Sequence, residues 1–300
     1  MSVMLESQGD PIQISRLTTL PPKYVKEKID FFLDEDAGTE DVTTLGTIPN
    51  SVRMGAHIVA EEKCIAAGTS FLKYCFPSEI KVEVKKQDGS RVEKNEILAT
   101  GVGPAQTLLS RERVILNLLQ RLCGIATTTQ KYVNIAEKHG CKILDTRKMT
   151  PGLRLFEKYA VAVGGGFNHR LNLRSAVLIK DNHLLAAGGI HNAIRNLAES
   201  KPAVPVELEV DTLSQLTEGL NCGINGFLLD NMSPSEIKKS IQYVKAHSNG
   251  QRIFMEASGG ITLDKLEEYA STGIEAISIG ALTTGTKNIS LKMEFKAISE

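Results

Sequence analysis

From Gly140 onward the chain repeats one grammar: a short apolar run, a polar stop, then a stretch with apolar residues at helical spacing. The runs are Ile143-Leu144, Ala176-Val177-Leu178-Ile179, Val206-Glu207-Leu208-Glu209-Val210, Gly226-Phe227-Leu228-Leu229, Arg252-Ile253-Phe254-Met255 and Ala276-Ile277-Ser278-Ile279. Helical segments such as Leu213 to Leu220, Pro234 to Ala246 and Leu263 to Ala270 separate them. Successive βα units of this kind restrict the chain to a parallel sheet covered by its own helices. A barrel and an open doubly wound sheet both satisfy the repeat. The run Val206 to Val210 favours the barrel. Its alternation turns Val206, Leu208 and Val210 to the helices and Glu207 and Glu209 inward, which a closed sheet with a polar mouth tolerates and a sheet packed on both faces does not.

The first half reads differently. Val25, Ile29, Phe32 and Leu33 fall at helical spacing between Lys23 and Leu33, and Asp34-Glu35-Asp36-Ala37-Gly38 ends that element. From about Gly55 to Gly103, short apolar segments are broken by Gly, Pro and charged turns, and the alternation at Ile80 to Val84 predicts strands with one solvated face, hence a small antiparallel sheet. Between Ala105 and Lys138 glycine and proline almost vanish, and Leu108, Leu109, Val114, Ile115, Leu118, Leu119 and Leu122 recur at helical intervals. Long helices with a break near Gly124 are expected there. The division is a polar extension over 1–22, a first domain over 23–125, a barrel domain over 126–283, and a segment over 284–300 that packs back on the first domain.

With 35 basic and 35 acidic residues, the chain carries no general footprint for nucleic acid or an anionic membrane, so any anion site must be local. Cys64, Cys75, Cys123, Cys141 and Cys222 are scattered, without a C-x-x-C pair or histidines at zinc-ligand spacing, which predicts reduced thiols and a cytoplasmic location. The N-terminus has no apolar core for a signal peptide, and no stretch approaches the ~18 apolar residues of a spanning helix.

Barrels build their sites at the C-terminal ends of the strands. Those ends here carry Asp145-Thr146-Arg147-Lys148, Lys180-Asp181, Glu209-Val210-Asp211, Asp230-Asn231, Glu256-Ala257-Ser258-Gly259-Gly260 and Gly280, with His169-Arg170 from a preceding loop. Fixed cations therefore face carboxylates across one mouth, a pattern suited to a small polyanion. Ser258-Gly259-Gly260 and Gly280 let backbone N–H groups approach a ligand, and a helix beginning near Thr262 would aim its positive end at the same place, as a phosphate requires. Gly164-Gly165-Gly166 reads as a flexible loop delivering His169 and Arg170. His183 reads as a satisfied histidine at a helix start, with a ligand group as the alternative. No dinucleotide fingerprint, P-loop, G-x-S-x-G elbow or cysteine nucleophile is present.

These residues, together with Glu40-Asp41-Val42-Thr43-Thr44, the run from Asp145 through Arg154, Glu157-Lys158-Tyr159, Lys180-Asp181-Asn182-His183 and Leu229-Asp230-Asn231, resemble the quinolinate phosphoribosyltransferases, the type II phosphoribosyltransferases of NAD biosynthesis. The similarity runs from Glu40 to Gly280. Two positions depart from the family pattern: Met149 stands where threonine is commoner, and Cys123 where serine is usual.

The resemblance implies an α/β fold: an N-terminal α/β sandwich with an antiparallel sheet, then an incomplete barrel of about seven strands. It implies a homodimer or larger assembly with shared sites, substrates quinolinate and phosphoribosyl pyrophosphate with Mg²⁺, and products nicotinate mononucleotide, pyrophosphate and CO₂. By position, Arg113 would enter the neighbouring subunit's site, and Thr146, Arg147, Lys148, His169, Arg170 and Lys180 would surround the quinolinate carboxylates and the phosphates. Glu209 and Asp230 would meet the ribose hydroxyls and the metal, Lys148 and Lys180 would share the catalytic work with them, and Ser258, Gly259, Gly260 and Gly280 would hold the 5′-phosphate. A relative acting on nicotinate or another heterocycle is the alternative, followed by a non-catalytic barrel that binds a phosphorylated metabolite.

Overall fold

The computed structural model describes residues 12, 14–36, 40–200, 202–248 and 250–298. They divide into two compact units that interleave along the chain. One holds Leu17–Gln130, Thr150–Gly165 and Gly285–Glu300, the other Met1–Arg16, Lys131–Met149 and Gly166–Thr284.

In the first unit Pro22 opens a helix to Glu35, where its missing N–H costs nothing, and Val25, Ile29 and Leu33 are buried along one stripe. Four strands follow β1 (Arg53–Ala60): β2 (Cys64–Ile65), β3 (Lys81–Val84), β4 (Arg91–Val92) and β5 (Ile97–Pro104). The predicted antiparallel sheet is present, in the order Leu291–Ala297, β1, β5, β3, with β2 and β4 as a separate pair. The C-terminal strand thus pairs with the first strand of this unit.

The helix Ala105–Ala136 is continuous, so the break expected at Gly124 does not occur. Gly124 answers a packing need. A Cβ there would run into the Lys287 carbonyl oxygen, and Ile289 N–H donates to Gln120 O nearby at 3.0 Å. Glycine lets the returning C-terminal segment lie against the helix backbone. Glu157, fully buried, accepts from Arg121 Nε at 3.0 Å and Nη2 at 2.8 Å and from Thr150 N–H at 3.1 Å, so its charge is paired and hydrogen-bonded. The expected glycine loop is also tighter than its composition suggests. Gly164 caps the helix Arg154–Val163, with its N–H on Ala160 O.

Among its described residues the second unit has six strands: β6 (Lys142–Leu144), β7 (Val177–Ile179), β8 (Val206–Val210), β9 (Gly226–Asp230), β10 (Phe254–Ser258) and β11 (Ala276–Ser278). All pair in parallel, in the order β6-β11-β10-β9-β8-β7. The resemblance implied about seven strands. Six form the ladder, and beside β6 stands only a bridge: Phe167 N–H donates to Ile143 O at 2.7 Å and Asp145 N–H to Phe167 O at 3.0 Å. Asn168 then turns to bond Ser15 O, which ends the pairing after one residue.

Residues 1–11 and 13 of the expected N-terminal extension lie outside the described residues. The rest is tied down. Ile12 and Ile14 pack with Phe167 against Leu144, Phe254 and Ala276, Arg16 Nε donates to Gly166 O at 3.1 Å, and its guanidinium stacks 4.0 Å from the Phe167 ring.

A Gly→Ala change inside a helix ordinarily stabilises by about 1 kcal/mol. Gly124→Ala should do the opposite, lowering stability by about 1–2 kcal/mol through overpacking against a backbone that cannot move away cheaply. Thermal unfolding checks the sign, and a raised Tm would show that the contact yields.

Candidate active site

In a parallel ladder every strand delivers its C-terminal end to the same rim. Lys148 and Arg147 follow β6, Lys180 follows β7, Glu209 lies near the end of β8, Asp230 ends β9, Ser258 ends β10 and Gly280 follows β11. Together with Thr146, His169, Arg170, Gly259 and Gly260 they line one open cavity of about 860 Å³. Burial and the nearby Arg147 guanidinium hold Arg170 below the ordinary arginine range, against the pull of Glu207 and Glu209, so the two guanidinium groups are electrostatic neighbours. Lys180 Nζ is ion-paired with Glu209.

Backbone and small side chains set these groups. Thr146 Oγ1 accepts from Lys148 N–H at 3.0 Å, Thr283 Oγ1 donates to Lys148 O at 2.6 Å, and a Cβ at Gly280 would come within 3.1 Å of Lys148 Cδ. Gly280 therefore makes room for the lysine stem. At φ +94°, Gly259 takes a conformation that side chains rarely adopt, and a Cβ there would strike Asn231. Asn231 in turn joins the two strand ends, donating its N–H to Ser258 O at 2.9 Å and its Nδ2 to Asp230 Oδ2 at 2.7 Å. The helix expected to begin near Thr262 starts only at Leu266 and spans five residues to Ala270, because Thr262 to Lys265 form a turn closed by Lys265 N–H on Thr262 O. No helix end faces the glycine turn from Thr262. His183 Nδ1 accepts from Lys180 N–H at 2.9 Å, the satisfied helix-start histidine expected.

Beneath the rim lies a layer of buried acid. Asp145, fully buried, accepts from Asn168 Nδ2 at 2.7 Å and His169 N–H at 2.8 Å. His169 Nε2 stands 3.2 Å from Glu207 Oε2 and 3.4 Å from Glu256 Oε1, and Ser278 Oγ donates to that same Glu256 oxygen at 3.2 Å. Burial alone would lower the imidazole, but Glu256 and Glu207 overturn it and push it up to about 10; burial and the neighbouring Glu256 push Glu207 up to about 7. The Arg170 N–H, 2.8 Å from His169 Nδ1, decides the form of the ring. A ring nitrogen that accepts there is unprotonated, so Nε2 carries the ring proton toward the carboxylates, and Glu207 is the acid that burial favours in its neutral form. These three side chains are also the one group among the described residues close enough to hold a metal. An Nε2 that carries hydrogen has no lone pair for an ion, which argues against that use.

Comparison with known proteins gives the family. Residues 41–123 match the profile of the quinolinate phosphoribosyl transferase N-terminal domain and residues 125–294 that of its C-terminal domain. The chain belongs to this family. It is 39% identical over 280 residues to a probable nicotinate-nucleotide pyrophosphorylase (carboxylating) of Bacillus subtilis, covering 92% of this chain and 95% of that one. A mitochondrial quinolinate phosphoribosyltransferase (decarboxylating) of Nicotiana glauca is 37% identical, over 94% of this chain and 87% of the other. Among solved structures, the nicotinate-nucleotide pyrophosphorylase of Francisella tularensis superposes with a TM-score of 0.86 at 31% identity, over 95% of this chain and all of that one.

Within a quinolinate phosphoribosyltransferase fold, eleven of the candidate substrate-contacting side chains and glycines sit with Thr146 around one cavity, and Arg113 does not. Arg113 belongs to the first unit, on the helix Ala105–Ala136, where it lines a separate hollow with Phe32, Arg121 and Leu153. Cys123 is accounted for: its thiol accepts from Ala67 N–H at 3.4 Å and reaches Ala67 O at 3.6 Å, so sulfur does the bonding a hydroxyl would do. Nothing in the structure explains Met149. The roles of Asp145, Glu207, Glu256 and Ser278 were missed from sequence, although Glu207 showed its inward direction in the alternation of its strand.

Asp145→Asn would turn an NH₂ group toward one of two donors, Asn168 Nδ2 or His169 N–H. A loss of about 2–3 kcal/mol is expected from that buried mismatch, read as a lowered unfolding midpoint in denaturant; an unchanged midpoint would show that the loop does not depend on this carboxylate.

Proposed function

We propose that the cavity transfers a phosphoribosyl group to quinolinate, giving nicotinate mononucleotide, pyrophosphate and CO₂. The convergence of Arg147, Lys148, Arg170 and Lys180 with Glu209 and Asp230 in one cavity carries the reading. Guanidinium forks bind carboxylates through two parallel hydrogen bonds, so a pair of arginines can orient a ring bearing two carboxylates with its nitrogen toward the anomeric carbon. That positioning supplies much of the rate, because the pyridine nitrogen already has a lone pair and needs no activated side chain.

As the nitrogen bonds to the anomeric carbon, the carbon–oxygen bond to pyrophosphate breaks. Positive charge then gathers on the ribose and negative charge on the leaving group. Glu209 and Asp230 stabilise the first, Lys148 and Lys180 the second. The alkylated ring next draws in the electron pair of the bond to its adjacent carboxylate, CO₂ departs, and the ring carbon takes a proton from water. Ser258, Gly259, Gly260 and Gly280 hold the 5′-phosphate in this reading. Glu209 and Asp230 present hard carboxylate oxygens, which fit a Mg²⁺ arriving with phosphoribosyl pyrophosphate. Bound there, it would spread the charge on the leaving pyrophosphate.

The resting ion pair between Lys180 and Glu209 supports the assignment, since it holds both groups in place until substrates separate them. We further propose a homodimer or larger assembly in which Arg113 serves the partner's cavity. No helix among the described residues is long and apolar enough to cross a membrane. We propose a cytoplasmic location, with its thiols reduced; all five cysteines are free and buried.

Incubation with quinolinate, phosphoribosyl pyrophosphate and Mg²⁺ should release CO₂, and turnover of nicotinate without quinolinate would replace this reading with its relative. Arg147→Ala and Arg170→Ala should each lower kcat/KM for quinolinate about 100-fold, the scale of two charged hydrogen bonds. For the shared site, impaired Arg113→Ala and impaired Arg147→Ala proteins are mixed: hybrid assemblies should exceed the activity of either variant alone, and no gain despite subunit exchange would refute the contribution in trans.

A further inference from the structure

His169 spends both ring nitrogens on the protein. Nδ1 takes the backbone N–H of Arg170 at 2.8 Å, while Nε2 faces Glu207 at 3.2 Å and Glu256 at 3.4 Å. Its side chain is only 12% exposed, so the imidazole is a strut between the barrel interior and the next residue's backbone.

The two carboxylates are unusual for what they lack. Glu207 Oε1 and Glu256 Oε2 are buried with no hydrogen-bond partner among the described residues. Buried carboxylate oxygens left without partners cost stability, and apolar residues of the same shape are often neutral or better in such places. Groups that a fold keeps at such a cost are explained by what they hold. Besides Ser278, which bonds Glu256, what they hold is His169.

Arg170 is thereby fixed at two points. His169 grips its backbone N–H, and its own Nη1 donates to Ala176 O at 3.1 Å. We propose that Glu207 and Glu256 are positioning residues: acting through His169, they set the Arg170 backbone and so aim its guanidinium into the cavity. This rests on the reading above that Arg170 receives a carboxylate of quinolinate.

The test uses the full-length enzyme with Glu207→Met and Glu256→Met, alone and combined, beside Glu207→Gln and Glu256→Gln. Methionine keeps the shape and removes the acceptor, whereas glutamine keeps an oxygen for Nε2–H. The methionine variants should raise KM for quinolinate at least tenfold and leave KM for phosphoribosyl pyrophosphate unchanged, measured where thermal unfolding shows them folded. The glutamine variants should lie near the parent value. An unchanged quinolinate KM in the double methionine variant, or equal rises in both KM values, would overturn the proposal.

A second measurement separates this inference from the functional reading. ¹⁵N spectra of labelled histidine in the unmodified protein should show His169 as the neutral Nε2–H form, lost in the double methionine variant. Should the parent fail to turn over quinolinate, the functional reading falls while this signature still supports the strut; an Nδ1–H form or an imidazolium would overturn the strut whatever the activity.

Discussion

Cations gathered on one rim repel each other, and this fold tolerates them because acid lies beneath and beside them. At an effective dielectric near 20, two like charges about 6 Å apart cost about 3 kcal/mol, more than a surface ion pair returns. Arg147 repels Arg170, which burial and this neighbour together hold below the usual arginine range. Glu207 and Glu209 oppose the effect, and Glu209 also takes Lys180. The rim is thus positive toward a ligand while the strands beneath it carry the compensating charge.

Sequence legibility followed the same division. The strands of the second unit announced themselves because a buried parallel strand is almost wholly apolar, and the rim residues because each stands where such a run stops. The carboxylate layer was harder to see. Glu256 sits inside the apolar run Phe254–Ser258 with nothing local to show that its partner is His169, 87 positions earlier in the chain. Asp145 lies against the rim lysine and arginine in sequence, yet it turns inward to Asn168 and His169. Spacing reveals a side chain's face and is silent about its partner across a barrel.

Other differences have equally local causes. Gly124 looked like a helix break because glycine lowers helix propensity, but tertiary packing outweighs a penalty of about 1 kcal/mol when a second backbone must approach that closely. A helix was expected to begin near Thr262, yet the turn there delays it to Leu266. Ile12 and Ile14, single apolar residues among polar ones, carried no periodic signal; their value appears only where Leu144, Phe254 and Ala276 leave an apolar surface for them.

The loop Asn168-His169-Arg170 shows how the pieces depend on one another. Its backbone is seized by Asp145 from β6's end, its imidazole by carboxylates of β8 and β10, and its guanidinium by the carbonyl before β7. Four strands therefore define where one charged fork points. An arginine carried on a free loop would lose side-chain and backbone entropy each time it ordered around a ligand, at about 1–2 kcal/mol per residue for the backbone alone. Ordering it in advance moves that cost into folding, where buried oxygens without partners record it, and leaves the cavity ready for an anion.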